Sequence, residues 1–277
     1  MKPLRYLSSA FFVLVLIFGS YLAAHAQTEI TLMAMGPGRK PTDKNIANFE
    51  SKNSNYKVKA VYVNGVETRQ LVEKGKPQDV NLIVAPFPGA VASGTIDISS
   101  ATPVTSVVWV LAVPKGAPKP NISSAAAVKK TLLAAKSIGF EDPDFTVAGE
   151  GPLAALTKLG ILDRVASKLK VELGPASRGV DPSSTQATVK TITHLEDGSI
   201  DIALHDLNDL IGDQDKYQIV GPLPRDVVAP TPVVGFLSNK AKDNPGAKAL
   251  LQYLASPEAT AIWKEGGMGA PEKWPAN

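Results

Sequence analysis

At 277 residues the chain is long enough for one large domain or two small ones with cores of their own. The lack of cysteine excludes both disulfide staples and a lipid-modified cysteine anchor. Lys2 and Arg5 fall within the first 26 residues, so of 29 basic residues 27 stand against 26 acidic ones in the remainder, a balance that leaves no electrostatic footprint for nucleic acid.

Residues 1–26 open with Lys2 and Arg5, continue through the apolar run Phe11–Phe18 and close on Ala24-His25-Ala26. This order of basic start, short apolar core and small-residue cleavage site predicts a removable secretory signal peptide. Ser8, Ser9, Gly19 and Ser20 leave the apolar stretch too short for a membrane span. Beyond it, a strand is predicted over Ile30–Met35 and a helix over Asp43–Lys52 with Ile46 and Phe49 inward. A strand over Val58–Val63, a helix over Glu67–Lys74 and a strand over Val80–Val84 follow. Further strands are predicted at Val107–Val113, Ser137–Phe140, Val171–Leu173, Ile200–Leu204 and Thr231–Leu237. Helices are predicted at Ala125–Ala135, Pro152–Leu159, Gln186–Glu196 and Ala247–Leu254. The alternation indicates an α/β fold with largely parallel sheets.

In such sheets ligands sit outside the carboxyl ends of strands, where loops run into helix N-termini. The loops that meet this description are Gly36-Pro37-Gly38-Arg39, Asn64-Gly65-Val66-Glu67, Thr146–Gly151, Gly174–Thr185 and His205-Asp206. The stretch TVAGEGPLAAL, Thr146–Leu156, is a helix opening with Pro152 in its first turns. Such an opening exposes N–H groups suited to an anion, although Glu150 stands beside it. No Gly-x-Ser-x-Gly elbow, His-Glu-x-x-His helix or phosphate loop is present, which points away from an enzyme. The acidic run DLNDLIGDQD lacks the terminal glutamate of a calcium loop and reads as a solvated helix end; no metal and no cofactor is expected.

Four stretches carry a resemblance: GKPQDVNLIVAP (75–86), VPKGAPKPNISSAAAVKKTLLAAKSIGFEDPDFTVAGEGPLAALTKLGI (113–161), VGPLP (220–224) and AKALLQYLASPEATAIWKEGGMGAP (247–271). In consistent order they resemble the periplasmic molybdate-binding proteins, substrate-binding components of ABC transporters in the type II periplasmic binding protein superfamily. The resemblance implies a two-lobed α/β fold with two hinge strands. The first lobe would comprise residues 27–104 and 228–277 and the second 105–227, with Thr102–Val104 and Leu223–Arg225 as hinge candidates. It also implies a small-molecule ligand held between the lobes of a monomer, a membrane permease as partner, and a periplasmic location.

The family's molybdate shell is not repeated. Gly36-Pro37-Gly38 and Asn64-Gly65 stand where the resemblance implies serines, and Leu204 where it implies tyrosine, while Ala148 and Gly149 match a backbone contact. A tetrahedral oxyanion would be left short of donors. Arg39, Arg178 and His205 instead offer directional donors on separate loops, with Glu150 and Asn64 as acceptors. The expected ligand is therefore an organic anion. Molybdate or tungstate binding and a ligand-presenting sensor role are the alternatives; a secreted enzyme is not expected.

Overall fold

The structure, a computed structural model, describes residues 27–172, 191–212 and 214–274. The signal-peptide segment and Arg178 lie outside the described residues. Among the described residues, ten strands divide between two five-stranded sheets. The first contains β1 (Thr28–Met35), β2 (Tyr56–Val63), β3 (Val80–Val84), β4 (Ile96–Val107) and β10 (Thr231–Ser238), in the order β2-β1-β3-β10-β4. The second contains β5 (Trp109–Pro114), β6 (Ile138–Glu141), β7 (Leu169–Glu172), β8 (Ile202–Asp206) and β9 (Tyr217–Pro222), in the order β7-β6-β8-β5-β9.

The two sheets share one plan. In each, three strands run parallel: β1 pairs with β2 and β3, and β6 pairs with β7 and β8. An antiparallel strand comes next, β10 or β5, followed by one antiparallel to it, β4 or β9. The central strands are buried on both faces because helices cover them, as in VNLIV of β3, where Asn81 is the one polar residue in an otherwise apolar run.

Among the described residues, ten helices connect and cover these strands. They are α1 (Arg39–Lys52), α2 (Gly65–Glu73), α3 (Pro88–Ala92), α4 (Ala125–Ala134), α5 (Val147–Lys158), α6 (Leu162–Val165), α7 (Thr191–Glu196), α8 (Leu207–Leu210), α9 (Pro245–Leu254) and α10 (Pro257–Glu265). Helix α9 shows why such a segment folds as it does. Asn244 caps it through Gly246 and Ala247 N–H groups, Pro245 fits its first turn, and Ala247, Leu250, Leu251 and Leu254 form one buried stripe.

The chain passes between the sheets at Val108 and returns after β9. The expected strand Val107–Val113 is thus split: Val107 ends one sheet's strand and Trp109 begins the other's. Thr102, Pro103 and Val104, the first hinge candidate, lie inside β4, where Thr102 and Pro103 pair with Gly235 and Val234. Trp109 marks the crossing: it is buried, its Nε1 donates to Thr231 Oγ1 at 3.0 Å, and its indole lies where a Cβ on Gly151 would be. The main core runs through this point and includes residues of both sheets.

Candidate functional site

Three helices begin at the carboxyl ends of parallel strands and meet between the sheets. Helix α1 follows β1, α2 follows β2, and α5 follows the turn after β6. The first two starts are tied together, since Gly36 N–H donates to Val63 O at 2.8 Å. The second and third abut: a Cβ on Gly65 would strike Val147, which opens α5. Glycine at 65 is what lets the two lobes touch.

The opening of α1 is unusual in its chemistry. Gly38 occupies the cap position without a side-chain hydrogen bond, and the first turn carries Arg39 and Lys40 but no acid. Helix starts ordinarily favour negative charge, because their free N–H groups and dipole present positive potential. The Arg39 guanidinium lies 4.4 Å from the centre of the Tyr62 ring. Tyr62 in turn donates to Asp43, and burial, reinforced by that carboxylate, pushes its phenol far above the usual range. Lys40 Nζ extends toward the second lobe, 3.8 Å from where a Cβ on Gly212 would lie.

The other two starts are capped conventionally. Asn64 Oδ1 accepts from Glu67 N–H at 2.7 Å, which engages the acceptor that the sequence offered to a ligand. Thr146 Oγ1 accepts from Gly149 N–H at 3.3 Å. Ala148 and Gly149 are buried in the first turn of α5, and a Cβ on Gly149 would collide with Glu141 O and lie 2.5 Å from Pro143 N. The glycine is required by the packing of helix against strand end.

Across this junction Glu150 pairs with Arg69, whose Nη1 also donates to Pro86 O at 2.9 Å. The side chains are 29% and 11% exposed, so the pair is largely withdrawn from water. Burial lifts the Glu150 carboxyl above its ordinary value, and Arg69 pulls against that shift. The sequence marked Glu150 as an awkward carboxylate beside an anion site; its partner on the other lobe resolves the conflict. In sequence Arg69 stands out only as an arginine near a helix start, a candidate ligand contact like Arg39 and Arg178; its pairing with Glu150 depends on tertiary placement.

Leu204 and His205 are both fully buried in β8. Leu204 belongs to the main core and pairs in register with Leu111. His205 Nδ1 lies 2.9 Å from Asp206 Oδ1, and its Nε2 lies 3.5 Å from Glu141 Oε1 without making a hydrogen bond. Burial alone would lower the imidazole pKa; Asp206 and Glu141 outweigh it and hold the ring well above the usual histidine range. Glu141 and Asp209 are neighbours of this imidazole, and Asp209 belongs to the acidic run whose sequence reads as a solvated helix end.

Residues 30–269 match the family model of bacterial extracellular solute-binding proteins. The chain belongs to this family. Its fold is that of the two-lobed periplasmic binding proteins. A substrate-binding domain from Clostridium difficile assigned to a molybdenum ABC transporter matches with a TM-score of 0.71 and 17% identity, over 89% of this chain and 100% of that one. The periplasmic molybdate-binding protein of Azotobacter vinelandii matches with a TM-score of 0.63 and 17% identity, over 88% and 100%. At such identity the likeness concerns the fold.

A curated relative from Pseudomonas sp is 26% identical over 255 residues, 89% of this chain and 90% of its own, and is named aconitate isomerase. That finding overturns the expectation that a solute-binding protein of this kind is not an enzyme. The motifs sought were an esterase elbow, a zinc-protease helix and a phosphate loop. They say nothing of proton transfer by an isolated carboxylate, which leaves no sequence motif.

Proposed function

We propose that this solute-binding protein captures a small organic polycarboxylate between its lobes for delivery to a membrane permease. The observation that carries this reading is the start of α1, where Arg39 and Lys40 crowd a helix N-terminus with no capping side chain and no acidic residue. An anion bridging those cations relieves their mutual repulsion at the positive end of the helix dipole, and a carboxylate suits the planar Arg39 fork. Gly36, Pro37, Gly38 and Gly65 supply no hydroxyl donors for a tetrahedral oxyanion. In this reading residues 1–26 direct export and are removed, the mature monomer works in the periplasm, and closure takes place about Val108 and Leu223–Arg225. Calorimetric titration with aconitate and citrate, set against molybdate and sulfate, tests it. Binding of a carboxylate at least tenfold tighter than either oxyanion is expected; the reverse order refutes it.

A second reading is favoured by the full-length Pseudomonas relative: the bound acid is isomerised. Cis–trans conversion of an unsaturated tricarboxylate of the aconitate type needs a proton taken from the methylene beside one carboxylate and returned to the far carbon of the allylic system. The double bond shifts and nothing is consumed. Glu150 is suited to carry that proton, because burial brings its carboxyl closer to the working pH and Arg69 fixes its position. Arg39 and Lys40 would stabilise the negative charge that develops on the substrate carboxylates. Glu150→Gln should reduce turnover by about 100-fold or more while leaving aconitate affinity within a few-fold. Proton NMR of an aconitate solution reads the first, calorimetry the second. Undiminished turnover in Glu150→Gln removes Glu150 from the reaction.

A further inference from the structure

We propose that Glu141, His205 and Asp209 form a site for a divalent transition-metal ion at the ligand-facing end of the second sheet. Glu141 ends β6, His205 lies near the end of β8, and Asp209 stands on the short α8 that follows. Their ligand atoms lie within 4.8 Å of one another. A metal held at about 2.0–2.2 Å by imidazole nitrogen and carboxylate oxygen needs ligand atoms roughly 3–4 Å apart. The 3.5 Å between His205 Nε2 and Glu141 Oε1 already satisfies this, and the Asp209 carboxylate lies within the same 4.8 Å cluster.

A second observation points the same way. The His205 side chain is completely buried, yet its Nε2 has no hydrogen-bond partner and faces the two carboxylates. Its other nitrogen is 2.9 Å from Asp206 Oδ1. A carboxylate accepting from Nδ1–H orients the ring with Nε2 toward the cluster, as metal-bound imidazoles ordinarily are, and an incoming ion would displace the Nε2 proton that the neighbouring carboxylates favour. Asp206 N–H also approaches Nδ1 at 2.9 Å, and the two contacts require opposite tautomers. The charged carboxylate is the stronger partner.

The ligand set narrows the ion. One imidazole and two carboxylates, in a chain without cysteine, suit zinc, manganese or ferrous iron better than cuprous copper, and the nitrogen disfavours calcium and magnesium. Three protein ligands leave coordination positions open. Their use by a carboxylate oxygen of the captured acid rests on the organic-acid reading; the metal site itself does not.

The test uses the mature chain stripped with chelator and supplied with metal alone. Manganese binding followed by electron paramagnetic resonance, and zinc binding by calorimetry, should show one site of micromolar or tighter affinity. Asp209→Asn should weaken it at least about tenfold while the metal-free protein keeps its melting temperature. His205→Gln should do the same; because that position is fully buried, the partly exposed Asp209 provides the variant that keeps its fold. No binding below millimolar metal, or binding unchanged in Asp209→Asn, overturns the proposal. Aconitate titrations of the stripped protein separate the two readings: acid binding with no metal site refutes this inference alone, and a metal site without acid binding refutes the organic-acid reading alone.

Discussion

Glu150 and Arg69 illustrate how one charge pair ties the lobes together. Because burial lifts the Glu150 carboxyl, the folded chain holds that proton at pH values where the unfolded chain has released it. The group's contribution to stability is therefore fully present at low pH and declines as pH rises between the ordinary carboxylate value and the lifted one. Arg69→Met removes the opposing influence and widens that interval. Urea unfolding should show Arg69→Met destabilised by about 1–3 kcal/mol near pH 8, since a largely buried carboxylate then lacks its partner, and by clearly less near pH 5. An equal loss at both pH values would show that the pair contributes packing and not charge. At this scale the sequence was legible where a residue's role is local, as for glycines at a close approach; Pro152, expected to open its helix, instead lies inside α5, which begins at Val147 under the Thr146 cap. Roles set by a partner far along the chain, as for Arg69 with Glu150 or Glu141 with His205, left no local pattern to read.

Elements whose apolar period is strong were legible for the same reason that they fold: their buried stripes are written in the sequence. Helices α9 and α1 and strands β1, β2, β3 and β10 fall close to where periodicity placed them. Strand β4 did not, because IDISSATPVTSV is polar along one edge and contains Pro103, features that ordinarily mark a loop. It is tolerated at the sheet edge, held by its register with β10 and by Ser106 Oγ donating to Ala270 O at 2.7 Å. Helix α10 was likewise passed over, although Ser256 caps it and Pro257 begins it. The junction of α2 and α5 allows a test at this scale. Gly65→Val places a branched side chain against Val147 and should wedge the lobes apart while each sheet stays intact. Ligand affinity should fall by about tenfold or more with only a small change in melting temperature, as calorimetry and thermal unfolding would record. Wild-type affinity in Gly65→Val would place the binding surface away from this junction.

For the molecule as a whole, in the proposed reading, two sheets of like plan, joined by two crossings, make a clamp whose closed state would gain whatever free energy the ligand invests in contacts to both lobes. Small-angle scattering should therefore register compaction when a saturating polycarboxylate is added to wild type, and none in Gly65→Val. An unchanged radius in wild type at saturation would mean a preformed rigid pocket. The fold class and the family were legible from the order of elements and four short stretches. The ligand was not, because recognition depends on which side chains converge from loops far apart in sequence. The same fold accommodates oxyanion binders and a relative named as an isomerase. The most direct measurement is native mass spectrometry of the mature protein purified without added ligand. A retained organic acid with two or more carboxylates, displaced by added aconitate, is the predicted result. Retained molybdate, tungstate or sulfate, unmoved by aconitate, would contradict the account.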